Sequence, residues 1–169
     1  MQALEAVIRA RELLQTLTPL RRDCGGVCGA ACCAPDEDGQ GGMLLFPGEE
    51  ALYQPLPAGF SLRQDDGVLP GMLLLTCGGV CDRALRPLAC RMFPLTPVLS
   101  VRDGRERLSV RMDPRAFAVC PLCEGGVRGM DAAFAQAVLQ SARILNECLE
   151  HQAYFRALGR YFERLRSWN

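Results

Sequence analysis

The 169-residue sequence contains no lysine, a single histidine and no long apolar run. All 19 basic residues are arginine, and 19 acidic residues balance them to a net charge of zero. A sequence-independent grip on nucleic acid needs an excess of positive charge, so we expect no nucleic-acid partner. Apolar runs such as the one at 72–75 are far too short to span a bilayer, so we expect no membrane partner either.

A secretory signal is also missing from the sequence. The first nine residues contain Glu5 and Arg9 and no continuous apolar core, which predicts a cytoplasmic protein. Thiols stay reduced in the cytosol, so the cysteines would be able to act as ligands. The even cysteine count also permits a secreted scaffold with five disulfides. The missing signal and the adjacent pair Cys32-Cys33 argue against that alternative.

The composition, with 49% hydrophobic and 22% charged residues, is typical of a soluble globular protein with a genuine core. We predict an α+β fold in a single domain, residues 1–169, in which terminal helices frame a cysteine-rich middle of loops and short strands. The metal-binding core is predicted at 24–126, and the C-terminal helices at 130–169.

The N-terminal half is predicted from apolar spacing and helix-stop signals. Apolar residues recur at helical spacing over 3–17, and Pro19 ends the pattern. A short helix is predicted to begin at Pro47, with Glu49 in its first turn. The apolar run within residues 68–76 predicts a strand or a buried extended segment.

The C-terminal half carries the clearest local signals. Asp103-Gly104 between two apolar alternating segments predicts a β-hairpin over 97–112, with Leu99 opposite Leu108. From about residue 131 the chain is predicted to be helical, with a break near His151. One apolar stripe of this helix consists of Phe134, Val138, Ser141, Leu145 and Cys148.

The sequence is rich in cysteine, and nine of its ten cysteines fall into three short groups. Short gaps between thiolates are how a chain holds a soft metal ion or an iron–sulfur cluster, because the second ligand is added at little loop-closure cost. Three such groups indicate a metal-binding protein, and we take all nine members as candidate metal ligands. They are Cys24, Cys28, Cys32 and Cys33; Cys77, Cys81 and Cys90; Cys120 and Cys123.

Nine thiols exceed one tetrahedral site, which suggests two centres or one polynuclear centre. Three glycines predict a wrapped loop over 24–33. Neighbouring side chains in an extended segment point to opposite sides. Cys32 and Cys33 could therefore serve two different centres, or one of them could face the core.

Thiolate ligands select zinc, copper(I) or iron–sulfur chemistry and disfavour magnesium and calcium. Zinc is our first prediction for the cofactor. The alternative is an iron–sulfur cluster that acts in redox chemistry or as part of an enzyme. Only His151 could supply imidazole, and neither a zinc-protease nor a Walker motif occurs, so we do not predict an enzyme. The sequence leaves a protein partner open and does not identify one.

Other polar side chains have simpler interpretations. A zinc ion with four thiolates carries a charge of −2, which nearby arginines could offset. Cys148 is predicted to be a buried core thiol and His151 to have a surface or capping role. Five arginines that could offset the thiolate charge each lie within five residues of a clustered cysteine: Arg21, Arg22, Arg83, Arg86 and Arg91.

A family resemblance rests on the string Cys77-Gly-Gly-Val-Cys81-Asp-Arg-Ala-Leu-Arg86-Pro87-Leu-Ala-Cys90-Arg91-Met-Phe93-Pro94. Together with Cys32-Cys33 and Cys120-Pro121, it resembles the bacterial cysteine-cluster family of zinc- or iron-chelating proteins, whose pattern is C-x2-C-x2-C-C, then R-P-x-x-C-R-x-F-P, then C-P. The first group departs from that pattern, because its spacing here is C-x3-C-x3-C-C, and Cys123 is an additional thiol. The resemblance covers about residues 24–126 and implies metal chelation without implying a reaction.

Overall fold

The structure is a computed structural model that describes residues 1–22, 24–33, 42–77 and 82–167. Helices at both ends of the chain and two small antiparallel sheets between them make the fold α+β, as the sequence predicts. The α-helices are α1 (Ala3–Leu13), α2 (Gly25–Cys28), α3 (Leu88–Met92), α4 (Ala132–Leu145) and α5 (Leu149–Ser167). The strands are β1 (Met43–Leu44), β2 (Phe60–Gln64), β3 (Leu73–Cys77), β4 (Leu95–Arg102) and β5 (Arg105–Met112).

The predicted hairpin is formed by β4 and β5. Asp103 and Gly104 have φ values of +52° and +70°, the left-handed pair that a two-residue turn of this kind requires. Leu99 lies opposite Leu108, so the predicted register is confirmed. The first half of β4 is buried, and α5 packs against it.

The three-stranded sheet has the order β1-β3-β2. Its central strand occupies 73–77, the C-terminal part of the segment predicted at 68–76, and it ends on Cys77, which pairs with Phe60. After β1 the predicted helix at Pro47 is a 3₁₀ helix over Glu49–Tyr53. A small apolar cluster of Leu45, Tyr53 and Leu75 packs there.

The terminal helices share the main hydrophobic core with the hairpin. Helix α1 ends at Leu13, before the predicted limit, and packs Ala6, Val7 and Ala10 against its neighbours. The predicted stripe of the C-terminal helix is confirmed, since all five of its residues are buried: Phe134, Val138, Ser141, Leu145 and Cys148.

The predicted helix break near His151 is displaced. Helix α4 ends at Leu145 and α5 begins at Leu149, so the break lies at 146–148 and His151 stands in the first turn of α5. His151 is completely buried, which makes the predicted surface role wrong. Its Nε2 donates to the Pro47 carbonyl at 3.0 Å, and its ring meets Phe46 edge-on. Burial lowers the pKa of His151, because charging the ring would forfeit its hydration.

Candidate metal centre

One cavity of about 290 Å³ collects most of the candidate ligands. We call it the thiol cavity. Its wall contains cysteines from four separate parts of the chain, together with apolar side chains such as Phe60, Phe93 and Val119. The cysteines that line it are Cys24, Cys28, Cys32, Cys33, Cys77, Cys90 and Cys120. Candidate ligands separated by as many as 96 positions therefore face the same space, since 120 − 24 = 96.

The first cysteine group is more regular than the predicted wrapped loop. Residues 25–28 form one helical turn, α2, and a 3₁₀ turn covers Ala31–Cys33. Between the two turns, Gly29 and Ala30 both adopt left-handed backbone angles, with φ of +62° and +58°. This reversal bends the chain back, so that the thiols on either side of it line the same cavity.

Cys32 and Cys33 do not point to opposite sides. Their Sγ atoms are 3.9 Å apart, because a 3₁₀ turn replaces the extended segment that the prediction assumed. Cys32 is partly exposed to solvent, yet a hydrogen bond with the Cys33 thiol, the surrounding protein and the nearby Cys90 and Cys28 all raise its pKa above its usual range. This thiol therefore loses its proton less readily than an isolated cysteine.

Cys77 and Cys90 approach the cavity from different elements. Cys77 is the last residue of β3, and Cys90 is the third residue of the short helix α3. Both are partly buried and both line the cavity. The remaining candidate of this group, Cys81, lies outside the described residues.

The last pair divides between the cavity and the interior. Cys120 lines the cavity, whereas Cys123, one 3₁₀ turn later, is buried and is not among the lining residues. Burial, followed by the neighbouring Cys120 thiol and the charge of Asp113, raises the pKa of Cys123 to about 11. Cys120 is thus the better-placed member of the pair.

None of the nine described cysteines forms a disulfide bond. Within the described ranges, however, no group of three or more Cys, His, Asp or Glu side chains already has an arrangement that could hold a metal ion. The cysteines that line the cavity do not already form a metal site. A bound metal would therefore have to draw sulfurs inward from the wall.

Three of the five arginines predicted to offset the thiolate charge line the cavity: Arg83, Arg86 and Arg91. Arg21 is different, since its side chain is 92% exposed and forms an ion pair with Asp131 at 3.0 Å. Arg22 is also exposed. Charge near the thiols is consequently supplied from the segment 82–91.

A buried carboxylate close to the cavity wall was missed by sequence analysis. Glu49 is completely buried and forms an ion pair with Arg11 at 2.9 Å. Its pKa is raised by burial, against the lowering effects of the Leu88 N–H and Arg11. Its position near Pro47 predicted only a helix terminus, and no spacing signal could have linked it to Arg11, which lies 38 positions away.

Cys148 stands apart from the cavity, as predicted. It is buried in the segment between α4 and α5, and its thiol donates to Glu150 at 2.8 Å. No helix in the described part of the chain combines the length and the apolar character needed to cross a bilayer.

Comparisons of this chain with protein-family models, with curated proteins and with solved structures find no match.

Proposed function

We propose that this protein binds zinc through cysteine thiolates in the thiol cavity. The observation that carries the proposal is the meeting of seven candidate ligands, from four parts of the chain, around one space. Thiolates are the ligands that zinc prefers in structural sites, with Zn–S distances of ~2.3 Å, and the cavity offers more than the four required. Cys81 and Cys123 remain candidates beyond those seven.

The electrostatic setting supports the same proposal. Four thiolates around zinc leave a net charge of −2, and three arginines line the cavity wall. Reduced thiols fit a cytoplasmic location, which is part of the proposal. The resemblance of the segment 77–94 to the cysteine-cluster family also indicates chelation. We assign no catalytic reaction to the site.

A second candidate is an iron–sulfur cluster bound at the same place, with a role in electron transfer or in an enzyme. Two observations favour it: seven thiols exceed the four that a mononuclear ion takes, and about 290 Å³ is more than a single ion fills. Both centres use thiolate ligands, so the donor set alone does not separate them.

Elemental analysis and an absorption spectrum of anaerobically purified protein test the proposal. Zinc-bound protein should be colourless with stoichiometric zinc, whereas a cluster should give brown protein that absorbs near ~400 nm. Cys90→Ser should lower the metal content, because it removes a ligand from the cavity wall. It should also lower the melting temperature.

Cys148→Ala is the matched control, since Cys148 is a buried thiol that does not line the cavity. It should keep the full metal content. The proposal fails if the wild-type protein binds neither zinc nor a reconstituted cluster, or if Cys90→Ser retains the wild-type stoichiometry and affinity.

A further inference from the structure

The Glu49 carboxylate lies where three segments of the chain meet. One oxygen, Oε1, accepts from Arg11 Nη1 at 2.9 Å and from the Leu88 backbone N–H at 2.6 Å. The other oxygen, Oε2, accepts from the Phe46 N–H at 3.2 Å. Glu49 therefore joins α1, the chain after β1, and the first residue of α3.

A second set of bonds fixes the same segment from its other end. Arg91 donates to three carbonyls of the preceding turn, those of Arg83, Ala84 and Arg86, at 3.0 to 3.1 Å. Arg11 also donates to the Ala84 carbonyl at 3.0 Å. The backbone over 83–91 is thereby folded around two buried or largely buried guanidinium groups.

Further contacts attach this segment to α1 and to the 3₁₀ helix at Glu49. Arg83 donates to the carbonyls of Gln15, at 2.9 Å, and of Leu17. The Tyr53 hydroxyl donates to the Leu85 carbonyl at 2.9 Å. Because Arg83 and Tyr53 donate to backbone carbonyls, their hydrogen bonds fix the backbone of the connected segments and not only their side chains.

Cys90 stands between two anchored residues. Leu88, two positions earlier, is held by Glu49, and Arg91, the next residue, is held by its own turn. The Cys90 thiol on α3 therefore lies between two positions that bonds of charged side chains hold in place. We infer that Glu49, with Arg11 and Arg91, is a positioning group that presents the Cys90 thiol to the cavity.

The energetics of burial explain why such a group is a positioning device. A buried ion pair contributes little net stability relative to apolar side chains of the same shape, yet removal of one partner leaves an uncompensated charge. A carboxylate with three donors also fixes directions that apolar packing would leave free. The metal-binding part of the inference rests on the proposed function, whereas the placement of Cys90 does not.

Glu49→Gln in the full-length chain is the main test, because it preserves shape and removes the charge. Two quantities are measured. The first is the rate at which iodoacetamide alkylates Cys90 in the metal-free protein, resolved by peptide mass spectrometry. The second is the zinc affinity, measured by competition with a chromophoric chelator. We expect iodoacetamide to alkylate Cys90 several-fold faster in the variant, while the alkylation rate of Cys123 is unchanged. We expect the zinc affinity to fall roughly tenfold or more, as it does when other residues that orient a metal ligand are removed.

Two variants provide the controls. Val98→Ala removes methyl groups from a completely buried core position on β4 and should lower stability without changing Cys90. Glu106→Gln disrupts a solvent-exposed ion pair with Arg156 and should change neither quantity. Arg11→Lys keeps the charge but loses the second donated bond, so it should give an intermediate effect and serves if Glu49→Gln does not fold.

The outcomes separate the two proposals. The two variants Glu49→Gln and Val98→Ala are compared under conditions in which they are equally stable. If Cys90 is alkylated at the same rate in both, the positioning inference is overturned. Wild-type behaviour of Arg11→Lys in both assays overturns it as well. If the wild-type protein binds no zinc and no cluster, the proposed function fails, but the Cys90 reactivity still decides the positioning inference.

Discussion

Neighbouring thiols raise the pKa of the Cys32 thiol above its usual range, so Cys32 loses its proton less readily than an isolated cysteine. Cys33 lies 3.9 Å away, and the proximity of Cys90 and Cys28 further disfavours a negative charge. Under the proposed function, zinc would supply the positive charge that this group lacks and would displace the proton. Zinc binding at the cavity should therefore release protons and weaken as the pH falls.

His151 is the single histidine of the chain, so its titration can be followed without interference from another imidazole. Burial lowers its pKa in the folded state below the ordinary value of 6.5. On acidification the unfolded chain takes up the proton first, so stability is complete above that value and is lost as the pH falls toward the folded-state pKa. We expect the free energy of unfolding of the metal-free protein to decrease as the pH falls from 7 through 6.5 toward the lower folded-state pKa.

His151→Gln cannot titrate and should flatten this pH dependence. Urea denaturation of the metal-free variant and wild type, at several pH values over the same range, measures the difference. Titration of the buried Glu49, whose pKa is raised, is common to both proteins and cancels in the comparison. Parallel pH profiles for the two proteins would show that His151 does not carry the effect.

At the scale of elements, local chemistry made the hairpin predictable. The Asp103-Gly104 turn fixes the register of β4 and β5 through backbone angles that few residues adopt, so the pairing of Leu99 with Leu108 followed from sequence alone. Residues 24–33 were less predictable. Their glycines indicated a loop, but the left-handed Ala30 between two helical turns depends on packing that the sequence does not reveal.

The contact between α5 and β4 depends on a glycine. A Cβ on Gly159 would lie 2.5 Å from the Leu99 carbonyl oxygen, a backbone atom that cannot move alone. Gly159→Ala should therefore destabilise the protein by ~1–3 kcal/mol. The clash outweighs the ~1 kcal/mol that alanine gains over glycine in a helix. Chemical denaturation followed by circular dichroism measures the change.

The neighbouring Arg160→Ala is the control for this prediction. Arg160 is exposed on the same helix, so its replacement should change stability by no more than ~0.5 kcal/mol. Wild-type or increased stability of Gly159→Ala would mean that the helix and the strand separate at little cost.

At the scale of the whole molecule, the sequence indicated that distant thiols meet but not how they are held. Spacing identified the three cysteine groups, and seven of their members line one cavity. No sequence pattern predicted the ion pair of Glu49 with Arg11 or the hydrogen bonds of Arg91 to the 83–86 turn. These contacts join residues that only the folded structure brings together, so their spacing in the sequence carries no signal.

The main hydrophobic cluster contains none of the seven cysteines that line the thiol cavity, which predicts an uneven response to metal removal. Phe134, Phe155 and Phe162 are completely buried in this core, with α1 and β4 around them. Chelation of bound metal should therefore raise amide hydrogen exchange by at least about tenfold over 24–33 and 83–91, while 134–162 stays protected. Mass spectrometry measures the amide hydrogen exchange of both regions before and after chelation. Cys148→Ala is the control, since it should keep its metal and respond to chelation as the wild-type protein does. A uniform increase, or none, would mean that the metal does not stabilise the cysteine-rich middle selectively.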